Sequence, residues 1–197
     1  MKYEFEILNS SVLLDDFLNI HEYHLRHQLF AGGQSDVLRR LCLEKQMAVS
    51  VLLFDPDQDA LVMVEQFRIG ARQTANSWLL ENPAGYVEAG ESVADVAVRE
   101  VLEETGCSVS DLIPICEFLV SPGISNERIA LLCGRVDAGT ADGIHGLGEE
   151  GEDIKVHVLN FNEAVSEMYT GKINSTSTIM SMQWLMLNKQ KVINQWI

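Results

Sequence analysis

Two consecutive apolar, Val-rich runs, residues 47–54 and 60–67, are separated by Asp55-Pro56-Asp57-Gln58-Asp59. The insert is turn chemistry, so the pair reads as antiparallel strands joined by a short connection. Residues 78–80, 115–120, 129–136 and 154–159 read as further strands. Apolar residues at helical spacing mark residues 91–105, about 162–169 and about 175–190 as helices, with Gly106 and Gly171 as stops. Strands mixed with few helices argue for an α/β domain whose mixed sheet is covered by helices on both sides. The first forty residues are a polar mixture with short apolar bursts (Val12-Leu13-Leu14, Leu29-Phe30) and a Gly32-Gly33 break. They read as short strands and turns of a small N-terminal β-rich subdomain, residues 1–45, too small to bury a core alone, ahead of a main domain of residues 46–197.

Charge limits the partners. Fourteen Lys and Arg face 29 Asp and Glu, a formal net charge of −15, which disfavours nucleic acid polymers and anionic membrane surfaces. The opening residues, Met1-Lys2-Tyr3-Glu4-Phe5-Glu6, carry acids where a signal peptide needs a basic flank, and no apolar stretch approaches bilayer length. A cytoplasmic protein is expected. Cys42, Cys107, Cys116 and Cys133 form no C-x-x-C pair and read as reduced, mostly buried side chains. His21, His24 and His27 recur every three residues without supporting ligands and read as structural, and the Met/Trp spacing of residues 178–187 reads as packing.

The chemistry concentrates in the first helix. Ala94, Val98, Val101 and Leu102 make an apolar stripe, and Glu100, Glu103 and Glu104 are expected to project opposite it. Like charges at this spacing repel, and Arg99 alone is at hand to offset them. A divalent cation would supply the missing charge, and hard carboxylate oxygens suit Mg²⁺ or Mn²⁺. Taken alone, the triplet reads more readily as a charged surface helix, because E-x-x-E-E occurs freely on exposed helices.

The 23 residues 85–107 carry Gly85, Glu91, Arg99, Glu100, Val101, Glu103, Glu104 and Gly106 at the spacing G-x5-E-x7-R-E-U-x-E-E-x-G-U, U being aliphatic. Cys107 alone departs, and as a small hydrophobe it is a mild departure. The segment resembles the box of the Nudix hydrolase family. The resemblance implies the Nudix fold, a loop-helix-loop on an α/β/α sandwich with a mixed sheet. It also implies metal-dependent hydrolysis of a nucleoside diphosphate linked to another group. Pro122, sixteen residues after Gly106, together with Glu65-Gln66-Phe67-Arg68-Ile69 and Gly143-Ile144-His145-Gly146-Leu147, resembles the branch acting on ADP-ribose. The implied reaction is Mg²⁺-dependent hydrolysis of ADP-ribose to AMP and ribose 5-phosphate. Another sugar nucleotide or NADH is the alternative substrate. A binding-only ADP-ribose sensor is the alternative class, against which the intact glutamate set argues.

Carried over residue by residue, the resemblance implies metal ligands Glu100, Glu104, Glu152 and the carbonyl of Ala84, with Glu103 for a further ion. Arg99 would hold the glutamates through charge-assisted hydrogen bonds. Glu150, in the acidic loop 149–153, would be the base that activates water. Arg40, Arg68, Ser121 and Glu127 would contact substrate, and Phe17 would stack on adenine. On the residues alone, Arg40 reads equally as surface charge, Phe17 as a core side chain and Glu127 as half of a pair with Arg128. The branch also implies a homodimer in which the N-terminal subdomain reaches over the partner's pocket. Residues 85–107 hold six acids against Arg99, and residues 149–153 hold four more. Much of the net charge therefore reads as a metal cradle, which a bound cation would turn from repelling a small diphosphate to attracting it.

Overall fold

The computed structural model describes residues 3–148 and 151–196. Its elements, in chain order, are strands β1 (Phe5–Asp15), β2 (Asn19–His27), β3 (Leu38–Glu44), β4 (Ala48–Asp55), β5 (Ala60–Phe67), β6 (Trp78–Glu81) and β7 (Ala84–Tyr86). Helix α1 (Val93–Thr105), β8 (Asp111–Leu119), β9 (Arg128–Arg135), β10 (Ile144–His145), β11 (Ile154–Asn160), α2 (Phe161–Thr170) and α3 (Thr176–Trp196) follow. The chain divides into two compact units, one of residues 1–46 and 119–128, the other of residues 47–118 and 129–197.

The second unit is built on a sheet of order β10-β11-β5-β4-β9-β8, in which β4 and β9 run parallel and β4 and β5 antiparallel. The turn at 55–59 is closed by Asp55, whose buried carboxylate accepts from the Asp57, Gln58 and Ala138 N–H groups. On one face, Val49, Val51, Leu53 and Val62 pack against Val96, Ala97 and Val101 of α1. On the other, Leu52, Phe54, Leu61 and Met63 pack against Phe161 and Ala164 of α2 and Met182, Leu185 and Trp196 of α3. Alternate side chains of each strand thus feed two cores, giving an α/β/α sandwich with a mixed sheet, the architecture the sequence predicts.

The sheet forks. Strands β4 and β5 pair only at Leu53↔Val62, Phe54↔Leu61 and Asp55↔Ala60. Beyond that point β5 takes β6 as partner and β4 takes β7. The two residues Asn82-Pro83 cross the split, and the Val51 N–H donates to the Pro83 carbonyl at 3.0 Å.

Three details differ from expectation. Helix α1 starts two residues later than predicted, because Ser92 caps it: its hydroxyl accepts from the Asp95 N–H while the Asp95 carboxylate accepts from the Ser92 N–H. The inward face of α1 is also not the predicted stripe. Ala94, Val98 and Leu102 are exposed, the last two at 45% and 53%, while Val96, Ala97 and Val101 face the sheet. Glu104 is buried on that inward side, so the acids do not lie opposite the apolar face. Helix α3 runs on to Trp196, six residues past the predicted end.

The first unit is an antiparallel sheet of order β1-β2-β3, and its strands are longer than the short ones expected. All of β1 is exposed, which leaves Phe5, Ile7, Val12 and Leu13 in solvent. The connection between β8 and β9 belongs to this unit and is stitched to the end of β3. The Leu43 N–H donates to the Ile124 carbonyl at 2.8 Å, the Ser125 hydroxyl to the Leu43 carbonyl at 3.0 Å, and the Lys45 N–H to Asn126 Oδ1 at 2.7 Å.

Candidate active site

The β7–α1 segment and the side of α1 that faces it bring together the acidic residues of the motif with Ala84, Arg68 and Glu152. A cleft of about 240 Å³ is lined by Arg68, Ala84, Gly85, Arg99, Glu100, Glu103, Leu147 and Glu152, along with Tyr86 and Glu88. Ala84 and Gly85 reach it because β7 pairs with β4 through Ser50↔Ala84 and Val49↔Gly85. Gly85 has no side chain for a structural reason: a Cβ there would overlap the Glu100 carboxylate, which rests on the backbone at that point.

Arg99 is the hub. Its Nε and Nη2 donate to the two carboxylate oxygens of Glu91 at 3.2 and 3.3 Å, and its Nη1 donates to Glu100 at 2.7 Å and Glu103 at 3.2 Å. This fork explains why Glu91 belongs with a helix it precedes. The Arg99 hydrogen bond holds Glu91 below the usual carboxylate range, and the Glu91 contact in turn raises Arg99.

Glu104 behaves differently. It is 2% exposed, and one oxygen accepts from the Ala84 N–H at 3.2 Å. Burial, and then the nearby Glu100 carboxylate, push its carboxyl up to about 8. Burial likewise raises Glu100, opposed by Arg99 and reinforced by Glu103 and Glu152. Glu152 is turned back by its own loop, where it accepts from the Leu147 N–H at 3.0 Å. Its Cβ passes so close to Gly146, at φ +98°, that a side chain there would collide with it.

These residues fit a hard divalent cation. They are oxygen donors of which two are lifted, first by burial and then by neighbouring carboxylates, and the guanidinium beside them is already shared among three carboxylates. Among the described residues, no three acidic, His or Cys side chains yet converge on one point. Glu100 is held by Arg99 and Glu104 by the Ala84 N–H, so gathering them on one ion requires these contacts to give way.

Arg68 projects from the end of β5 into the same cleft, with its Nε donating to Glu81 at 2.7 Å. Sequence reasoning missed Glu81, which the β5–β6 register pairs with Val64 and which the Arg68 side chain reaches from beyond the end of β5. The other residues expected to contact substrate lie in the first unit. Phe17 occupies the β1–β2 turn, 88% exposed, with the Lys45 ammonium 5.3 Å from its ring, which rules out the core reading. Arg40 lies on β3 opposite Tyr23 and donates to the Arg39 carbonyl at 2.9 Å. Ser121 opens the β8–β9 turn, where its carbonyl accepts from the Ile124 and Ser125 N–H groups. Glu127 closes it, its N–H donating to the Ser125 hydroxyl at 3.1 Å. Glu150 lies outside the described residues.

Comparison with known proteins finds several similar chains. The chain is 43% identical over 196 residues to ADP-ribose pyrophosphatase of Escherichia coli (strain K12), covering 99% of this chain and 94% of that one. It is 44% identical over 197 residues to ADP-ribose pyrophosphatase of Haemophilus influenzae, covering 98% and 91%. GDP-mannose pyrophosphatase of Pectobacterium atrosepticum is 29% identical over 180 residues, covering 90% and 92%. The crystal structure of an ADP compounds hydrolase shares the fold, with a TM-score of 0.70 at 18% identity over 92% of this chain and 94% of that one. The model of the NUDIX domain matches residues 44–177, a span that contains the whole acidic cleft, and the chain therefore belongs to the Nudix family.

Proposed function

We propose that the protein is a divalent-metal-dependent hydrolase that cleaves the pyrophosphate of ADP-ribose into AMP and ribose 5-phosphate. The observation that carries this reading is the cleft in which Glu100, Glu103 and Glu152 face Arg68, with Glu104 buried one turn of α1 beyond Glu100. Glu100, Glu104, Glu152 and the Ala84 carbonyl would hold Mg²⁺, or Mn²⁺ in its place, and Glu103 would hold a further ion. When bound, the metal neutralises phosphoryl oxygens and acidifies the attacking water. Arg99 keeps Glu100 and Glu103 oriented through its own hydrogen bonds. Arg68, anchored at Nε by Glu81, offers its other N–H groups to the pyrophosphate. Glu150 takes the proton of the attacking water.

Phe17, Arg40, Ser121 and Glu127 bind the nucleotide and sugar in a homodimer whose first unit covers the partner's pocket. The apolar side chains left in solvent on β1 and at Phe17 and Phe30 support an assembled form. Light scattering should return twice the chain mass of 22.0 kDa, and a monomer at micromolar concentration refutes the shared pocket. Four free thiols fit a reducing, cytoplasmic setting, and among the described residues no helix is long and apolar enough to cross a membrane.

The 29% identity to a GDP-mannose pyrophosphatase favours one second reading, a different nucleoside diphosphate sugar. A phosphatase-coupled assay over ADP-ribose, NADH, GDP-mannose and diadenosine polyphosphates, with and without Mg²⁺, separates the two. The highest kcat/KM is expected for ADP-ribose; a preference for GDP-mannose overturns the assignment.

A further inference from the structure

The crossing at the sheet fork is built from polar groups in a place where apolar ones would suffice. Asn82 is 3% exposed, and Ser50, Thr178 and Ser181 around it are at 1% or less. The Asn82 N–H donates to Thr178 Oγ1 at 3.1 Å, and its side-chain Nδ2 donates to Ser181 Oγ at 3.0 Å and Ser50 Oγ at 3.3 Å. The helix side of this network is itself tied down. Ser175 Oγ donates to Thr178 Oγ1 at 2.8 Å, and Ser181 Oγ to the Thr178 carbonyl at 2.9 Å. Three directions are thereby fixed at one residue: β4 through Ser50, and the first turns of α3 through Thr178 and Ser181. The arrangement leaves Asn82 Oδ1 buried with no hydrogen-bond partner, a cost that packing alone would have avoided with an aliphatic side chain.

What lies next in the chain gives this network its use. Pro83 accepts from Val51 N–H, Ala84 donates to Glu104, and Gly85 carries the Glu100 carboxylate against its backbone. Every protein group in the metal reading except Glu103 and Glu152 thus touches, or is part of, the three residues after Asn82. A shift of the crossing by a few tenths of an ångström moves the Ala84 carbonyl and the seat of Glu100 together. A buried amide whose donors are engaged on both β4 and α3 fixes such a position, since its bonds are directional where apolar packing is not.

We infer that Asn82, clamped between Ser50 of β4 and Thr178 and Ser181 of α3, is a positioning residue that sets the Ala84–Gly85 backbone for metal binding. This rests on the reading of Glu100, Glu104 and Ala84 as metal ligands. The test is Mn²⁺ binding by electron paramagnetic resonance on the purified full chain, with metal-free melting temperature, kcat and KM measured beside it. Asn82→Ala is expected to weaken Mn²⁺ binding about 10-fold, the low end of the range for residues that orient metal ligands, and Ser181→Ala, which removes one acceptor from Asn82, about 3-fold. KM for ADP-ribose at saturating metal is expected to stay within about twofold, because substrate groups are not touched. If both variants bind Mn²⁺ as tightly as the wild type while melting earlier, the network is structural only and the inference fails. Should Asn82→Ala not fold, Ser181→Ala decides alone, since alanine at that helix position is a tolerated residue. A wild-type protein that binds no Mn²⁺ refutes the metal reading itself, and this inference with it, which is a distinct result from normal wild-type binding with unchanged variants.

Discussion

Glu104→Gln should make the metal-free protein more stable at alkaline pH while destroying its response to metal. In the folded chain the Glu104 carboxyl sits at about 8 against an ordinary 4.5, chiefly because it is buried and secondly because Glu100 is near. An acid with a raised folded-state pKa contributes stability that is complete below about 4.5 and is lost as pH climbs through about 8. At pH 9 the wild type therefore carries a buried charge, and at pH 5 it does not. The displacement corresponds to at most about 5 kcal/mol at 1.36 kcal/mol per pH unit. Rotation of the carboxylate towards the cleft relieves part of this, leaving an expected gain of about 1–3 kcal/mol for the neutral amide. Gln keeps an oxygen for the Ala84 N–H, so the local bond survives. At about 2–4 °C per kcal/mol for a chain of this size, the variant should melt several degrees above the wild type at pH 9 in chelator and level with it at pH 5. Adding Mg²⁺ should raise the wild-type melting temperature more at pH 8 than at pH 6, because the cation displaces a proton, and should leave the variant unmoved. Matching pH profiles for the two proteins, or equal stabilisation by Mg²⁺, would refute the reasoning.

Three further outcomes follow from the same geometry. Gly85→Ala places a Cβ on the Glu100 carboxylate, a flexible end that can swing away, so melting should change little while kcat falls about 100-fold; a normal kcat, or a collapsed fold, contradicts that. Glu81→Ala frees the Arg68 guanidinium and should raise KM for ADP-ribose about 3- to 10-fold, whereas Glu81→Gln, which retains an acceptor, should stay near wild type. The Glu81→Ala effect should vanish in an Arg68→Ala background, and additive losses would show that Glu81 acts elsewhere. Glu150→Gln should keep the melting temperature and lose about 100-fold or more in kcat, and near-normal turnover removes Glu150 from the role of base.

The hairpin of β4 and β5 and the end of α1 were readable because turn residues and a stopping Gly106 are local signals, whereas the Ser92 cap went unread and the predicted start fell two residues early. The facing of α1 was not. An apolar count rewards Ala94, Val98 and Leu102, yet the helix turns Glu100 and Glu104 towards the sheet side and leaves Val98 and Leu102 in solvent. A functional carboxylate on a buried face breaks the amphipathic rule from which the face was inferred. Strand β7, only three residues of Ala-Gly-Tyr, has no pattern to detect, and its place depends on the fork between β4 and β5. The full length of β1 was hidden for the opposite reason. With every residue exposed it has no alternation between a wet and a dry face. The motif residues around Arg99 were legible by spacing, whereas the Arg68–Glu81 pair depends on the reach of a long side chain along β6 and the Asn82 network on helix docking.

The account stands most directly on product analysis of ADP-ribose incubated at pH 8 with the full-length protein across a Mg²⁺ titration. It predicts AMP and ribose 5-phosphate in equal amounts, appearing only as metal saturates the cleft, with Glu100→Gln inactive at every concentration tested. Turnover that persists in chelator, or a protein that binds Mg²⁺ and leaves ADP-ribose intact, would contradict it.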